Sequence, residues 1–436
     1  MPLSKKERGI CELYAADPET ADWLVFGRRW CSDRRGFLKG AGLAAMGAAV
    51  GGALPFAKDM PGGLIPAALA ETTEPFALPG KDGLTVLNDR PINAETPAHL
   101  LDDPVTPTAR HFVRNNGLPP DNTDPDGWTL TVDGAVENPL TLTIDELKDR
   151  FEVVEYALQL ECGGNGRAGF NPPASGNQST VGAIGNSRWQ GVRLADVLEA
   201  AKVKPEAVYT GHLGADRHLS GDPSKAPLSR GFPVAKAMIP YNLIAFAQNG
   251  APIHPLNGAP LRLVVPGWPG SCSQKWLTGI RLSPTKWTGT KMAAPSYSVP
   301  AHPVYPGQEV AQEDFVTIHS HPVKSLITTP ASGITLEPGV RQLEVGGHAW
   351  AGDDSVAQVD LTHNFGRNWT AANLEALPNP YSWATWRATV TFEQPGYYEI
   401  WARATDDRGH QQPFTVAWNP KGYLNNAMHR IAVLVS

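Results

Sequence analysis

Glycine and proline punctuate this chain so densely, 43 and 40 of its 436 residues, that long helices have little room between them. Proline removes a backbone donor and blocks a helix interior, and glycine loses more conformational freedom on ordering than any other residue. A chain of this length and texture is expected to fold as two or three domains of short strands joined by shaped loops. Its 42% hydrophobic content is ordinary for a globular core, and beyond the N-terminus nothing suggests disorder.

The N-terminus has a different character. SDRRGFLKGAGLAAMGAAVGGALPFA sets Arg34 and Arg35 ahead of Phe37, Leu38 and Lys39, then an apolar run of small residues. That order reads as a twin-arginine export signal. Glycines interrupt the run and it stops near Pro55, too short for a convincing membrane span. Ala-Leu-Ala at 68–70 offers a cut after Ala70, so residues 1–70 read as a leader and the mature protein as periplasmic, with no membrane anchor. The whole chain has a formal charge of −6, and the leader carries more bases than acids, so the remainder is more acidic still. No basic run is left to bind nucleic acid, and a mildly acidic surface suits a basic soluble partner.

Three regions follow the leader. Residues 71–104, with LPGKDGLTVLNDRPINAETP, are rich in turn formers and read as an extended segment leading into the fold. Residues 105–310 read as α+β. TIDEL places Thr143 and Glu146 in a capping box that starts one helix, and LADVLEAAKV carries Leu194, Val197, Leu198 and Ala201 on one face of another. In residues 311–436, RQLEVGGHAW, AQVDLTHN, WRATVTFE and YYEIWARATDD alternate apolar with polar between turn residues. That pattern predicts an immunoglobulin-like sandwich for packing or dimer formation, with an adhesion or carbohydrate module as the other reading.

Cys11 and Cys31 fall in the leader, which leaves Cys162 and Cys272. Three fates stay open for Cys162: a disulfide with Cys272, a buried thiol, or a soft thiolate ligand to a metal. It sits in LQLECGGNGRAGFNP, where Gly163, Gly164 and Gly166 would let backbone approach a cofactor closely. There is no CxxCH for haem, no GxGxxG after a strand, no Walker loop and no HExxH. The twin-arginine route carries proteins already folded, often with a cofactor in place, so a cofactor site is expected.

HFVRN at 111–115, ECGGNGR at 161–167, GAIGNSRWQGVRLADVLEAA at 182–201 and NGAPIHPLNGAPLRLVVPGWPGSCSQKW at 249–276 resemble, in that order, the sulfite oxidase family of molybdopterin enzymes. The resemblance implies an α+β molybdopterin-binding domain over 105–310, followed by an all-β immunoglobulin-like dimerisation domain over 311–436 in a homodimer. It implies a molybdenum-molybdopterin cofactor with Cys162 as the protein's ligand to the metal, and Cys272 as a bystander. Arg114 and Arg167 match the family's substrate arginines, and guanidinium forks suit a compact oxyanion such as sulfite. Tyr297 is the counterpart of the active-site tyrosine. Asn115, Asn116, Asp216, Asn257, Arg262, Ser273 and Lys275 fall at cofactor-holding positions, where Arg262 and Lys275 bring charge for a phosphate.

Three departures accompany the resemblance. Asn116 and Asn257 stand where the family often has histidine, which keeps hydrogen bonding but not a titrating charge. Ser179 or Thr180 replaces a tryptophan shortly before GAIG, and Tyr297 lies in a shifted register. The implied reaction is oxygen-atom transfer converting sulfite to sulfate. With no haem in this chain, electrons are expected to pass to a separate periplasmic cytochrome c. Other readings are a thiosulfate-oxidising (sulfur dehydrogenase) subunit, a reductase of oxidised protein methionine on the same fold, and a cofactor-free periplasmic binding protein. His302 with His319 and His321 lacks the spacing of a zinc site, and GRNW and GYLNNAMHR read as turns of the sandwich.

Overall fold

The computed structural model describes residues 78–436; Arg34, Arg35, Cys11, Cys31 and the cut after Ala70 lie outside the described residues. Among those described, the α-helices are short: Ile144–Arg150, Leu194–Ala201 and Val234–Ala237. The first has its capping box, with the Glu146 amide donating to Thr143 Oγ1 and the Thr143 amide donating to Glu146 Oε2. The second buries Leu194, Val197, Leu198 and Ala201, and stops where Lys202 turns left-handed. No helix of the described residues is long and apolar enough to cross a membrane.

Two five-stranded sheets build the first half. One runs Ala251–Pro252, Leu243–Gln248, Ile184–Arg193, Val153–Glu161, with Arg262–Val264 also paired to Leu243–Gln248. The other runs Leu140–Thr143, Thr129–Gly134, Leu277–Ser283, Tyr209–Gly214, Gly231–Pro233. Leu130, Val132, Leu198, Leu263 and Ile280 share the core formed between these sheets and the helices. Val153–Glu161 pairs residue by residue with Ile184–Arg193, and the ladder ends at Glu161 opposite Ile184. This register delivers Cys162 to the end of a rigid strand.

The segment leading into the fold supports residues that line the site. Its strands Thr85–Asp89 and Ile92–Glu95 form a small sheet with Val113–Arg114, which sets Asn93 opposite Arg114.

The last third is a two-sheet sandwich. Lys324–Thr329, Gln342–Trp350, Ala384–Thr391 and Asn373–Leu374 make one sheet; Ile334–Leu336, His429–Val435, Gly396–Asp406, Val356–Thr362 and Thr370–Ala371 make the other. Val345, Trp386, Ile400 and Val433 fill the space between them. The four alternating segments read from sequence are strands here. Lys324–Thr329 carries no alternation because it is buried along nearly its whole length.

Across the junction, Leu101, Ile184, Leu326, Trp350 and Trp383 form one apolar cluster. Beside it the buried Glu161 carboxylate accepts from Lys324 Nζ at 3.0 Å, Trp350 Nε1 at 2.7 Å and Asn165 Nδ2 at 2.9 Å, with His321 Nδ1 at 3.4 Å. Burial by itself would raise this carboxyl, yet Lys324, His321 and the Asn165 amide outweigh it and hold it below the usual carboxylate range. Lys324→Met leaves that charge buried without its main partner and should cost about 3–5 kcal/mol in denaturant unfolding. Glu161→Gln in the same chain should recover part of the loss. A deficit below about 1 kcal/mol, the scale of an exposed pair, would show that the network does not hold the junction.

Candidate functional site

Five segments converge on one cavity. Its lining includes Arg114, Asn115, Asn116, Cys162, Asp216, Asn257, Arg262, Ser273, Lys275 and Tyr297. Arg167 is not among the lining residues. Both described cysteines are free, so Cys162 and Cys272 do not form a disulfide.

Cys162 is fixed by its backbone: its amide donates to Ala183 O, and its carbonyl accepts from the Asn165 amide. Of the neighbouring glycines, Gly164 and Gly166 make room for protein rather than for a cofactor. A Cβ on Gly164 would lie 2.3 Å from an Arg167 nitrogen, and one on Gly166 would lie 2.8 Å from Asn425 Cβ. Ser179 Oγ donates to Gly164 O, and Thr180 is held by the Glu95 carboxylate, so these two brace the loop from behind.

Arg114 lies against the Cys162 thiol and donates to Asn115 O, to Asn93 Oδ1 at 3.3 Å and to Asn116 Oδ1 at 3.3 Å. Asn116 is the hub of this side of the cavity: its amide donates to the Tyr297 hydroxyl at 3.4 Å, and its oxygen accepts from Lys291 Nζ at 2.6 Å. Trp276, Lys291 and Tyr297 all take positive φ, a conformation that side chains of this size adopt only when surrounding contacts enforce it.

The opposite wall is cationic. Lys275 Nζ donates to Asn115 Oδ1 and to Leu256 O, Arg262 Nη1 donates to Asn257 O, and Lys81 Nζ donates to Asn257 Oδ1, Thr108 O and His111 O. Asp216 is the lone acid in the lining. Burial, then repulsion from Arg262, pushes Lys275 well below the usual lysine range and Lys81 to about 7. Burial lifts Asp216 to about 6 despite the nearby Lys275. His111 stays neutral, driven far down by burial and by Lys81, Arg262 and Lys275.

Burial disfavours the charged forms of Lys81, Arg262 and Lys275 and one carboxyl faces them, so the wall fits an anion that would restore their charge. His111 Nε2, Asn115 Nδ2, Arg262 Nε, Ser271 Oγ and Gln274 Oε1 are buried there without a protein partner, which is the polar lining a heteroatom-rich group requires. Lys81 and His111 were not named as site residues from the sequence. Lys81 reaches the wall from far back in the chain, so no local motif marks it, whereas His111 stands at the head of the HFVRN motif itself.

Arg167 has other partners. Its Nε donates to Lys421 O at 2.7 Å and its Nη1 to Asn177 O at 2.9 Å, and its guanidinium lies 5.3 Å from the Tyr423 ring centroid. The histidines do not gather: His321 joins Glu161, His319 stacks on Trp268, and His302 is exposed.

Comparison with known proteins agrees with this chemistry. Residues 116–291 match the oxidoreductase molybdopterin binding domain, and residues 316–436 match the Mo-co oxidoreductase dimerisation domain. Sulfite oxidase of Gallus gallus is 34% identical over 381 residues, covering 83% of this chain and 81% of that protein. Mitochondrial sulfite oxidase of Homo sapiens is 34% identical over 390 residues, covering 84% and 69%. The crystal structure of sulfane dehydrogenase SoxCD from Paracoccus pantotrophus superposes with a TM-score of 0.67 at 25% identity, covering 87% of this chain and 96% of that one.

The cationic wall sets a pH dependence for the cofactor-free protein. Lys81 titrates near 7 when folded and near 10.5 when unfolded, so between these values the unfolded state binds more protons and folded stability rises with pH. Denaturant unfolding from pH 7 to 10 should show this rise, and Lys81→Met should flatten it. Equal slopes in the two proteins would mean that Lys81 is not desolvated.

Proposed function

Because this chain belongs to the sulfite oxidase family of molybdopterin enzymes, we propose that it is an exported sulfite dehydrogenase, oxidising sulfite to sulfate and passing electrons to a separate cytochrome c. The observation that carries the reading is the pairing, in one cavity, of a free thiol beside Arg114 with a wall of buried basic side chains faced by a single carboxyl.

The residues present fit the cofactor. Cys162 would supply a thiolate to the metal, a soft donor suited to molybdenum. Lys275, Arg262 and Lys81 would neutralise the pterin phosphate, and Asn115, Asn257, Asp216, Ser273 and the neutral His111 would hydrogen-bond the rest of the group. When bound, the cofactor supplies oxygen-atom transfer and two-electron redox chemistry.

The protein's part is orientation and charge. Arg114, held beside Cys162 by Asn93 and Asn116, would meet the oxyanion with its positive charge and remaining N–H groups. Lys291, sharing Asn116 with the Tyr297 hydroxyl, adds positive charge to the same side. For each sulfite converted to sulfate one water is consumed, and two protons and two electrons leave. The chain has no CxxCH for covalent haem, in keeping with a separate protein as the acceptor of the two electrons.

Arg34 and Arg35 support export to the periplasm, and the match to a dimerisation domain supports a homodimer. A second reading has one observation in its favour: the likeness to sulfane dehydrogenase points to oxidation of a sulfane sulfur compound such as thiosulfate.

Protein purified from cells that make the cofactor should contain stoichiometric molybdenum and reduce ferricyanide when given sulfite. Cys162→Ser should lose both. Thiosulfate oxidation in place of sulfite oxidation would favour the second reading, and molybdenum-loaded protein inert to both would falsify this assignment.

A further inference from the structure

We propose that Arg230 is a positioning residue: buried beside the cavity without an acid partner, it pins the segment from Lys291 to Tyr297 and so sets where the Tyr297 hydroxyl stands. The inference rests on the sulfite-oxidising reading above and adds to it a residue outside every motif named from the sequence.

Arg230 is 1% exposed and precedes the strand Gly231–Pro233, whose ladder to Tyr209–Gly214 pairs Gly211 with Gly231. The His212 amide donates to Arg230 O at 2.8 Å, so the backbone here is fixed. Its guanidinium, by contrast, has few partners. Nη1 donates to Lys291 O at 3.2 Å, Nη2 meets Cys272 Sγ at 4.0 Å, and Nε is buried with no partner. None of the ion pairs among the described residues includes Arg230. The nearby His212 stays neutral, driven down to about 3 by burial and then by Arg230 itself. A buried guanidinium with an orphan N–H and no carboxylate costs free energy that an apolar side chain of its size would not. Such a breach of the packing rules belongs where a site requires it.

Arg230 touches both ends of one segment. Lys291 offers it a carbonyl, and Tyr297 offers its ring, whose centroid lies 4.8 Å from the guanidinium carbon. Those two residues are the ones held at positive φ, 68° and 46°, a backbone that side chains this large keep only under enforcement. Ser229 secures the approach to them: its amide donates to Thr290 O at 3.1 Å, and its hydroxyl accepts from Trp287 Nε1 at 3.1 Å. Gly289 makes the fit close, since an added Cβ would lie 2.4 Å from Ser229 O. Ser229 and Arg230 thus grip the chain at Trp287, Thr290, Lys291 and Tyr297 in turn.

The gripped segment meets the cavity through its side chains. Tyr297 lines the cavity and Arg230 does not. The Tyr297 hydroxyl accepts from Asn116 Nδ2, and Lys291 Nζ donates to Asn116 Oδ1, so a shift of the segment is felt at Asn116 and from there at Arg114. The Tyr297 ring also stacks on Tyr423, with centroids 5.5 Å apart and planes 21° from parallel. That stretch is anchored in turn: the Leu424 amide donates to Gly163 O at 3.0 Å, Asn425 Nδ2 donates to Gly166 O at 2.8 Å, and Asn419 exchanges hydrogen bonds with the Tyr423 amide and carbonyl. Tyr423 holds the ring from the sandwich, and Arg230 holds it from the first half of the chain.

A double-mutant cycle on the molybdenum-loaded full chain decides the matter. Arg230→Met and Tyr297→Phe, alone and together, are compared by kcat/KM for sulfite, by the calorimetric Kd for inorganic sulfate and by denaturant unfolding. Each single variant should lower kcat/KM and weaken sulfate by about tenfold, and adding Arg230→Met to Tyr297→Phe should change either by less than about twofold. The unfolding midpoint of Arg230→Met should stay at the wild-type value or rise, because the substitution removes an unpaired buried charge. If Arg230→Met has its full effect with or without the Tyr297 hydroxyl, Arg230 acts on the anion by its own charge and the proposal is overturned. It is overturned too if either single variant leaves sulfate and kcat/KM within about twofold of wild type. Should Arg230→Met fail to fold, Arg230→Lys replaces it in the cycle. Wild-type protein inert to sulfite but able to bind sulfate counts against the functional reading alone, and the sulfate cycle still decides the role of Arg230; protein that does neither sinks both.

Discussion

A carboxylate buried one residue before the Cys162 thiol, and satisfied largely from across a domain boundary, is the constraint on which the site depends. Glu161 ends the strand that delivers Cys162, yet Lys324, His321 and Trp350 all come from the C-terminal half, and Asn165 comes from the cysteine loop itself. Loss of Lys324 leaves a charge stranded in low dielectric and loss of the others leaves its lone pairs unpaired, which couples the loop, the strand end and the sandwich. The cavity follows from that brace, because the loop that shapes it has little side-chain volume of its own with which to pack.

The site accepts instability in order to bind. Lys81, Arg262 and Lys275 are forced together with little compensation, and each is penalised by burial. Such an arrangement favours an anion among them, so binding an anion and completing the fold are linked processes. A chain read as exported in folded form has a physical reason to take up its cofactor before crossing the membrane.

Local signals in the sequence carried far. The Thr143 capping box, the apolar face of Leu194–Ala201 and the alternation of the sandwich strands are each decided within a few residues, and all three are present in the fold. The candidate site was legible where its residues lie in contiguous motifs, and all of them except Arg167 line one cavity. What escaped was long-range. Lys81 reaches Asn257 across 176 residues, and Tyr423 is brought to Tyr297 by domain packing. Arg167 shows the limit of spacing: five positions after Cys162 it matches a motif, but the direction of its guanidinium is set by carbonyls at 177 and 421.

The stretch from Asn419 to Asn425 binds the rim of the cysteine loop while belonging to the domain whose family role is association. Inheritance is constrained accordingly: the two halves of this chain cannot be exchanged with those of a relative as independent modules. Sequence drift in the sandwich reaches the cysteine loop through this stretch, without any change to the residues that line the cavity.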